Sequence, residues 1–92
     1  MKKRAIITIF GEVQGVFFRV NTQAQAQELG LTGWVKNEAD ATVKILAEGE
    51  QEQLEKLVDY CRSGHKLAKV QRVEVKWEEA TGKFKDFDII YN

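Results

Sequence analysis

The apolar pattern changes period once near the start of the chain, and that change dictates a strand, a loop and a helix in that order. Residues 5–10, Ala-Ile-Ile-Thr-Ile-Phe, are β-branched and aromatic, as a strand requires. From there apolar or small groups fall at Phe18, Thr22, Ala26 and Leu29, one face of a helical repeat. Gly11 and Gly15 bracket the loop between them, and Arg19 follows in the first helical turn. At such a junction the first N–H groups have no intrahelical partner and the helix dipole adds partial positive charge, so a phosphate meets donors already aimed at it. The Arg19 guanidinium adds a planar fork that grips two phosphate oxygens, which lysine does not reproduce. The glycines alone do not establish a site, because most loops of this kind only turn the chain. The chain also lacks the Lys-Ser or Lys-Thr of a nucleotide P-loop and the Gly-x-Gly-x-x-Gly of a dinucleotide fold.

The remaining elements follow from their punctuation. Gly30 ends the first helix as a C′ residue, and strands over 33–37 and 42–48 form a hairpin through Glu38-Ala39-Asp40-Ala41. After Gly49 a second helix carries an apolar stripe of Leu54, Leu57, Val58 and Cys61, with Glu50, Glu52 and Glu55 toward its start and Arg62 and Gly64 at its exit. In the fourth strand Val73, Val75 and Trp77 share a face while Val70 has the opposite parity, which predicts a bend or bulge between them. A last short strand covers about residues 84–91. Proline is absent, so the turns depend on glycine, aspartate and asparagine. This order predicts one α+β domain over residues 1–92. It is a ferredoxin-like, split βαβ two-layer sandwich whose antiparallel sheet carries both helices on one face. Strands 1 and 2 then run parallel with another strand between them, so the loop after strand 1 and Asn37 at the end of strand 2 share one edge. Two strand spacings put them roughly 9–10 Å apart, room for a phosphate and a water.

Fourteen basic residues balance fourteen acidic ones, so no global field draws in nucleic acid or an anionic membrane, and any anion site is local. The amino terminus, Met-Lys-Lys-Arg, runs into strand-like residues without a secretion signal, nothing approaches a membrane span, and the one cysteine forms no internal disulfide; a cytoplasmic location is expected. Cys61 lies on the apolar stripe of the second helix and reads as a buried thiol, not a nucleophile. His65, following the glycine that ends that helix, reads as a surface-loop residue. Histidines and carboxylates nowhere show metal-ligand spacing, so neither metal nor cofactor is expected.

As a literal string, Gly11-Glu12-Val13-Gln14-Gly15-Val16-Phe17-Phe18-Arg19 closely resembles the acylphosphatase signature Gly-x-Val-Gln-Gly-Val-x-Phe-Arg. A second block, Gly33-Trp34-Val35-Lys36-Asn37-Glu38-Ala39-Asp40-Ala41-Thr42-Val43, is similar to the family's Gly-Trp/Tyr-Val-x-Asn-x-x-Asp-Gly-x-Val. Leu29-Gly30-Leu31, the stretch from Ala68 to Trp77, and Phe87-Asp88-Ile89 also stand where such a protein has them, so the resemblance covers nearly the whole chain. It implies an enzyme that hydrolyses the carboxyl–phosphate bond of small acyl phosphates, with Asn37 as the residue that orients the attacking water. The chemistry agrees with that implication. The leaving group is a carboxylate of pKa about 4.3, which departs at neutral pH without a protein acid. The protein need only hold the phosphoryl group, offset its charge and aim a water in line. Arg19 and the amides of Gly15, Val16, Phe17 and Phe18 suit the first two tasks. The side-chain amide of Asn37, both donor and acceptor, suits the third.

Phe17 and Phe18 divide between roles: Phe18 faces the core at helical spacing and Phe17 is placed to shield the pocket, core packing being the commoner role for either. Ala41 departs from the family's glycine, and if that position needs positive φ the turn carries about 1 kcal/mol of strain. The expected partner is a small acyl phosphate, with no nucleic acid, no membrane and a monomeric chain. Two other readings use the same layout. An RNA reader needs aromatic residues on the exposed face of strands 1 and 3, and strand 3 has none. A non-catalytic module would bind phosphate or a partner without turnover.

Overall fold

The first strand runs longer than its apolar centre, β1 spanning Lys2–Glu12 in the computed structural model, which describes residues 1–15 and 17–91. It is followed by α1 (Phe18–Glu28), β2 (Thr32–Asn37), β3 (Val43–Glu50), α2 (Gln51–Asp59), β4 (Lys69–Glu79) and β5 (Phe87–Ile90), in a five-stranded sheet of order β4-β1-β3-β2-β5. Both helices bury their apolar stripes against one side of it. Phe18 and Ala26 of α1 and Leu54, Leu57 and Val58 of α2 share a core with Ala5, Ile7 and Ile9 of β1, Val43, Ile45 and Ala47 of β3, and Val35 of β2. The alternation along β1 is why that core forms, since every second side chain faces the helices. No helix among the described residues is long and apolar enough to cross a membrane.

β1 and β2 each pair antiparallel with β3 and therefore run parallel to one another. Ile9 and Asn37 are both partners of Val43, so the loop after β1 and the end of β2 meet at one edge, as the topology requires. The parity break in β4 is a bulge: Phe10 pairs with Arg72 and Gly11 with Val70, leaving Gln71 as the extra residue. Val70, Val73 and Val75 all pack against the core as a result. Gly11 belongs to this bulge. At φ 134° it lets β4 pass so close that a Cβ would collide with the Lys69 carbonyl oxygen. α1 ends as its Gly30 predicts, with Leu31 N–H donating to Ala26 C=O at 2.9 Å and Gly30 N–H to Gln27 C=O at 3.0 Å, the paired bonds of a Schellman motif.

The expectation of a wholly antiparallel sheet needs one correction, because β5 pairs parallel with β2. β4 ends at the edge of the sheet where β1 begins and β2 starts, Glu79 pairing with Lys3 and Gly33 with Phe87. A chain that reaches the far side of the sheet along that edge can only run upward beside β2. Glu48 fixes the crossing. Its carboxylate accepts from Arg4 Nε (2.8 Å), Thr81 N–H (2.9 Å), Thr81 Oγ1 (3.0 Å) and Gly82 N–H (3.0 Å), and it is only 4% exposed. Burial pushes its pKa up, but the Thr81 amide, the Arg4 guanidinium, the Gly82 amide and the Thr81 hydroxyl together outweigh that and bring it from 4.5 down to about 2. Because the folded value is the lower one, the stabilisation is complete above about pH 4.5 and is lost as pH falls toward 2. Glu48→Gln should therefore cost about 2 kcal/mol at neutral pH and flatten the fall of Tm between pH 5 and 2, read by thermal melts across that range.

Ala41 adopts φ 74°, the left-handed region in which its Cβ is strained. The turn holds regardless, because Ala41 N–H donates to Glu38 C=O (3.2 Å), Glu38 N–H to Thr42 C=O (2.9 Å), and the Asp40 carboxylate accepts from Thr42 N–H and Oγ1 at 3.1 and 2.6 Å. Ala41→Gly should relieve about 1 kcal/mol and raise Tm by about 4–8 °C, measured by calorimetry.

Candidate active site

The start of α1 has no side-chain cap and no acidic residue in its first turn. Among the described residues the first intrahelical bond is from Asn21 N–H to Phe17 C=O at 3.1 Å, and the N–H groups of a first helical turn point out of the helix end. Gly15 (φ 77°) and Phe17 (φ 61°) both take left-handed backbone, which curls the loop around that end. For a bulky aromatic residue this conformation is rare and costs of order 1–3 kcal/mol.

Arg19, Asn37, Gly15, Phe17 and Phe18 line a single cavity of about 300 Å³, with Val13, Val20 and Tyr91 completing its wall. The cavity thus joins the loop after β1, the first turn of α1 and the end of β2. Val16 lies outside the described residues. The Arg19 guanidinium sits 5.0 Å from the centre of the Tyr91 ring, and among the described residues no carboxylate pairs with it. Its N–H edge is available to an anion.

Phe18 is buried as its helical spacing predicts, while Phe17 is 72% exposed and lines the cavity, the pocket-wall place of its two expected ones and not the core. Its left-handed backbone takes it out of the helical repeat and onto the cavity wall. The expectation for His65 is corrected, since it is 8% exposed and not a surface residue. After α2 the chain leaves through a wide π turn, Tyr60–Gly64. His65 then stacks on Phe18 with ring centroids 5.0 Å apart, its Nδ1 accepting from Ala68 N–H (3.2 Å) and its Nε2 lying 3.0 Å from the Asn21 carboxamide. The first turn of α1 is thereby braced from behind. Cys61 is fully buried, and burial pushes its thiol up to about 12, with Arg62 opposing weakly, so it is inert as a nucleophile. Among the described residues no three histidine, cysteine or acidic side chains gather as a metal site would need.

Two contacts were not anticipated from the sequence. The Gln14 carboxamide donates to both Glu38 C=O and Thr42 C=O at 2.9 Å, clamping the loop after β1 to the hairpin that follows Asn37. A glutamine inside a glycine-bracketed loop is the only signal for it. Tyr91 follows the last strand with no local pattern at all, and only the parallel run of β5 beside β2 brings it to Arg19.

Comparison with known proteins agrees with this geometry. The acylphosphatase family model matches residues 5–89. A curated acylphosphatase from Geobacter sulfurreducens is 50% identical over 91 residues, covering 99% of this chain and 100% of the relative, and one from Pelotomaculum thermopropionicum is 44% identical over 90 residues, 98% of each. The crystal structure of acylphosphatase from Bacillus subtilis superposes with a TM-score of 0.89 at 37% identity, over 99% of this chain and 100% of that one. With a matched model spanning the cavity loop and the hairpin alike, the chain belongs to the acylphosphatase family.

Proposed function

We propose that this enzyme cleaves the carboxyl–phosphate bond of acyl phosphates by direct attack of water on phosphorus, with no metal and no covalent enzyme intermediate. Arg19 and the N–H groups of Gly15, Val16, Phe17 and Phe18 hold the phosphoryl oxygens and offset the charge that develops on them. Asn37 orients the water opposite the leaving oxygen. The water oxygen bonds to phosphorus as the acyl oxygen–phosphorus bond breaks; the carboxylate departs with the electron pair, and the water's proton passes to a phosphate oxygen. The observation that carries this reading is the convergence of an uncapped helix start, a guanidinium and the Asn37 amide on one cavity of about 300 Å³.

The test is hydrolysis of benzoyl phosphate in ¹⁸O-water, with and without excess chelator. Benzoate and inorganic phosphate should form in equal amounts, the label should appear in phosphate, and the chelator should leave the rate unchanged. Label in the carboxylate would overturn attack at phosphorus, and loss of activity with chelator would overturn the metal-free route.

A further inference from the structure

Phe17, Val20 and Tyr91 are 72%, 50% and 70% exposed, and all three line the cavity that holds Arg19 and Asn37. Met1, Leu67 and Trp77, also exposed, do not line it. A large apolar side chain left in water is ordinary when single, but three around one opening point to an apolar ligand group. Phe17 carries a second cost, because it holds a left-handed backbone while its side chain stays largely in solvent.

The stereochemistry of the reaction says what lies against them. In-line displacement sends the acyl group away from the water, and hence away from Asn37. Gly15 has no side chain, Val13 and Phe18 line the cavity but are only 1% exposed, and the proposed cradle assigns Arg19 to the phosphoryl group. The walls left for the acyl group are Phe17, Val20 and Tyr91. We propose that these three side chains form an acyl subsite that selects apolar, above all aryl, acyl phosphates over small polar ones such as acetyl or carbamoyl phosphate. This rests on the phosphate cradle proposed above and adds to it a specificity that the cradle alone does not have, since the cradle sees the same phosphoryl group in every substrate.

Non-hydrolysable phosphonates separate the two ideas, because they remove differences in intrinsic reactivity. Binding of phenylphosphonate and methylphosphonate, measured by calorimetry and as competitive inhibition, should differ by about tenfold in favour of phenyl. That ratio should fall to about twofold in the Phe17→Ser, Val20→Ser double variant and hold in Phe17→Tyr. The ratio cancels any change that Phe17→Ser makes to the loop amides, and both side chains are exposed enough for the variants to fold. Equal affinity for the two phosphonates in the native protein, or a ratio unmoved in the double variant, would overturn the subsite while leaving the cradle standing. Failure of the folded native chain to bind inorganic phosphate or either phosphonate would remove the cradle and the subsite together.

Discussion

Arg19→Lys should lower kcat/KM for benzoyl phosphate by about 10³-fold and weaken competitive inhibition by inorganic phosphate in parallel. The charge survives this substitution, so a purely Coulombic role would predict a small effect. What is lost is the planar pair of N–H donors, and with it the geometry that lets one side chain bind two oxygens of a flattening phosphoryl group. The ring of Tyr91, 5.0 Å from the guanidinium, adds to the difference, because a flat delocalised cation stacks on an aromatic face and keeps its edge aimed into the cavity, whereas an ammonium on a flexible stem does not. Among the described residues Arg19 takes part in no ion pair, so the variant should fold with a Tm close to the native one. A lysine variant that keeps native phosphate affinity would show that the cavity recognises charge alone.

The features legible in the sequence are those that depend on local geometry. Helical spacing from Phe18 to Leu29, the glycine after it and the alternation along β1 each constrain the backbone within a few residues, and each appears in the fold. The parity break between Val70 and Val73 belongs to the same class, since a core-facing strand cannot change parity without an extra residue. What was not legible depends on where distant segments meet. The direction of β5 follows from a crossing beneath the sheet that the buried Glu48 carboxylate anchors, and a lone glutamate in a strand gives no hint of four donors converging on it. His65 was misread because the exit from α2 is wider than an ordinary α-helical end and turns the ring onto Phe18. Phe17 was open to two readings, core or pocket, because only its left-handed backbone separates it from Phe18 and puts it on the cavity wall. That Arg19 and Asn37 line one cavity was legible because two parallel strands end at one edge, with the loop and first turn of α1 following the first of them. Gln14 and Tyr91 were not, because each acts through a contact with a segment more than twenty residues away.

Asn37→Ala should lower kcat by about 100- to 1000-fold while KM and the inhibition constant for inorganic phosphate change by less than about threefold. The separation follows from where Asn37 stands. It ends β2 opposite Val43, on a different element from Arg19 and the loop after β1 that line the same cavity; in the proposed mechanism those groups bind the ground-state phosphate and Asn37 acts when water approaches phosphorus. Its position is maintained from two sides. The hairpin beyond it is closed by the Glu38–Thr42 bond at 2.9 Å, and Gln14 ties that hairpin to the loop after β1 through two bonds of the same length. The strain at Ala41 is therefore borne within the turn. That supplies an internal control, because Ala41→Gly should raise Tm without moving kcat, whereas Asn37→Ala should move kcat. Asn37→Asp sharpens the assignment. It retains an acceptor for the water but adds negative charge beside the phosphoryl group, so KM should rise as kcat falls. An alanine variant with normal kcat and a raised KM would instead place Asn37 among the groups that bind substrate, and the water would then need another guide.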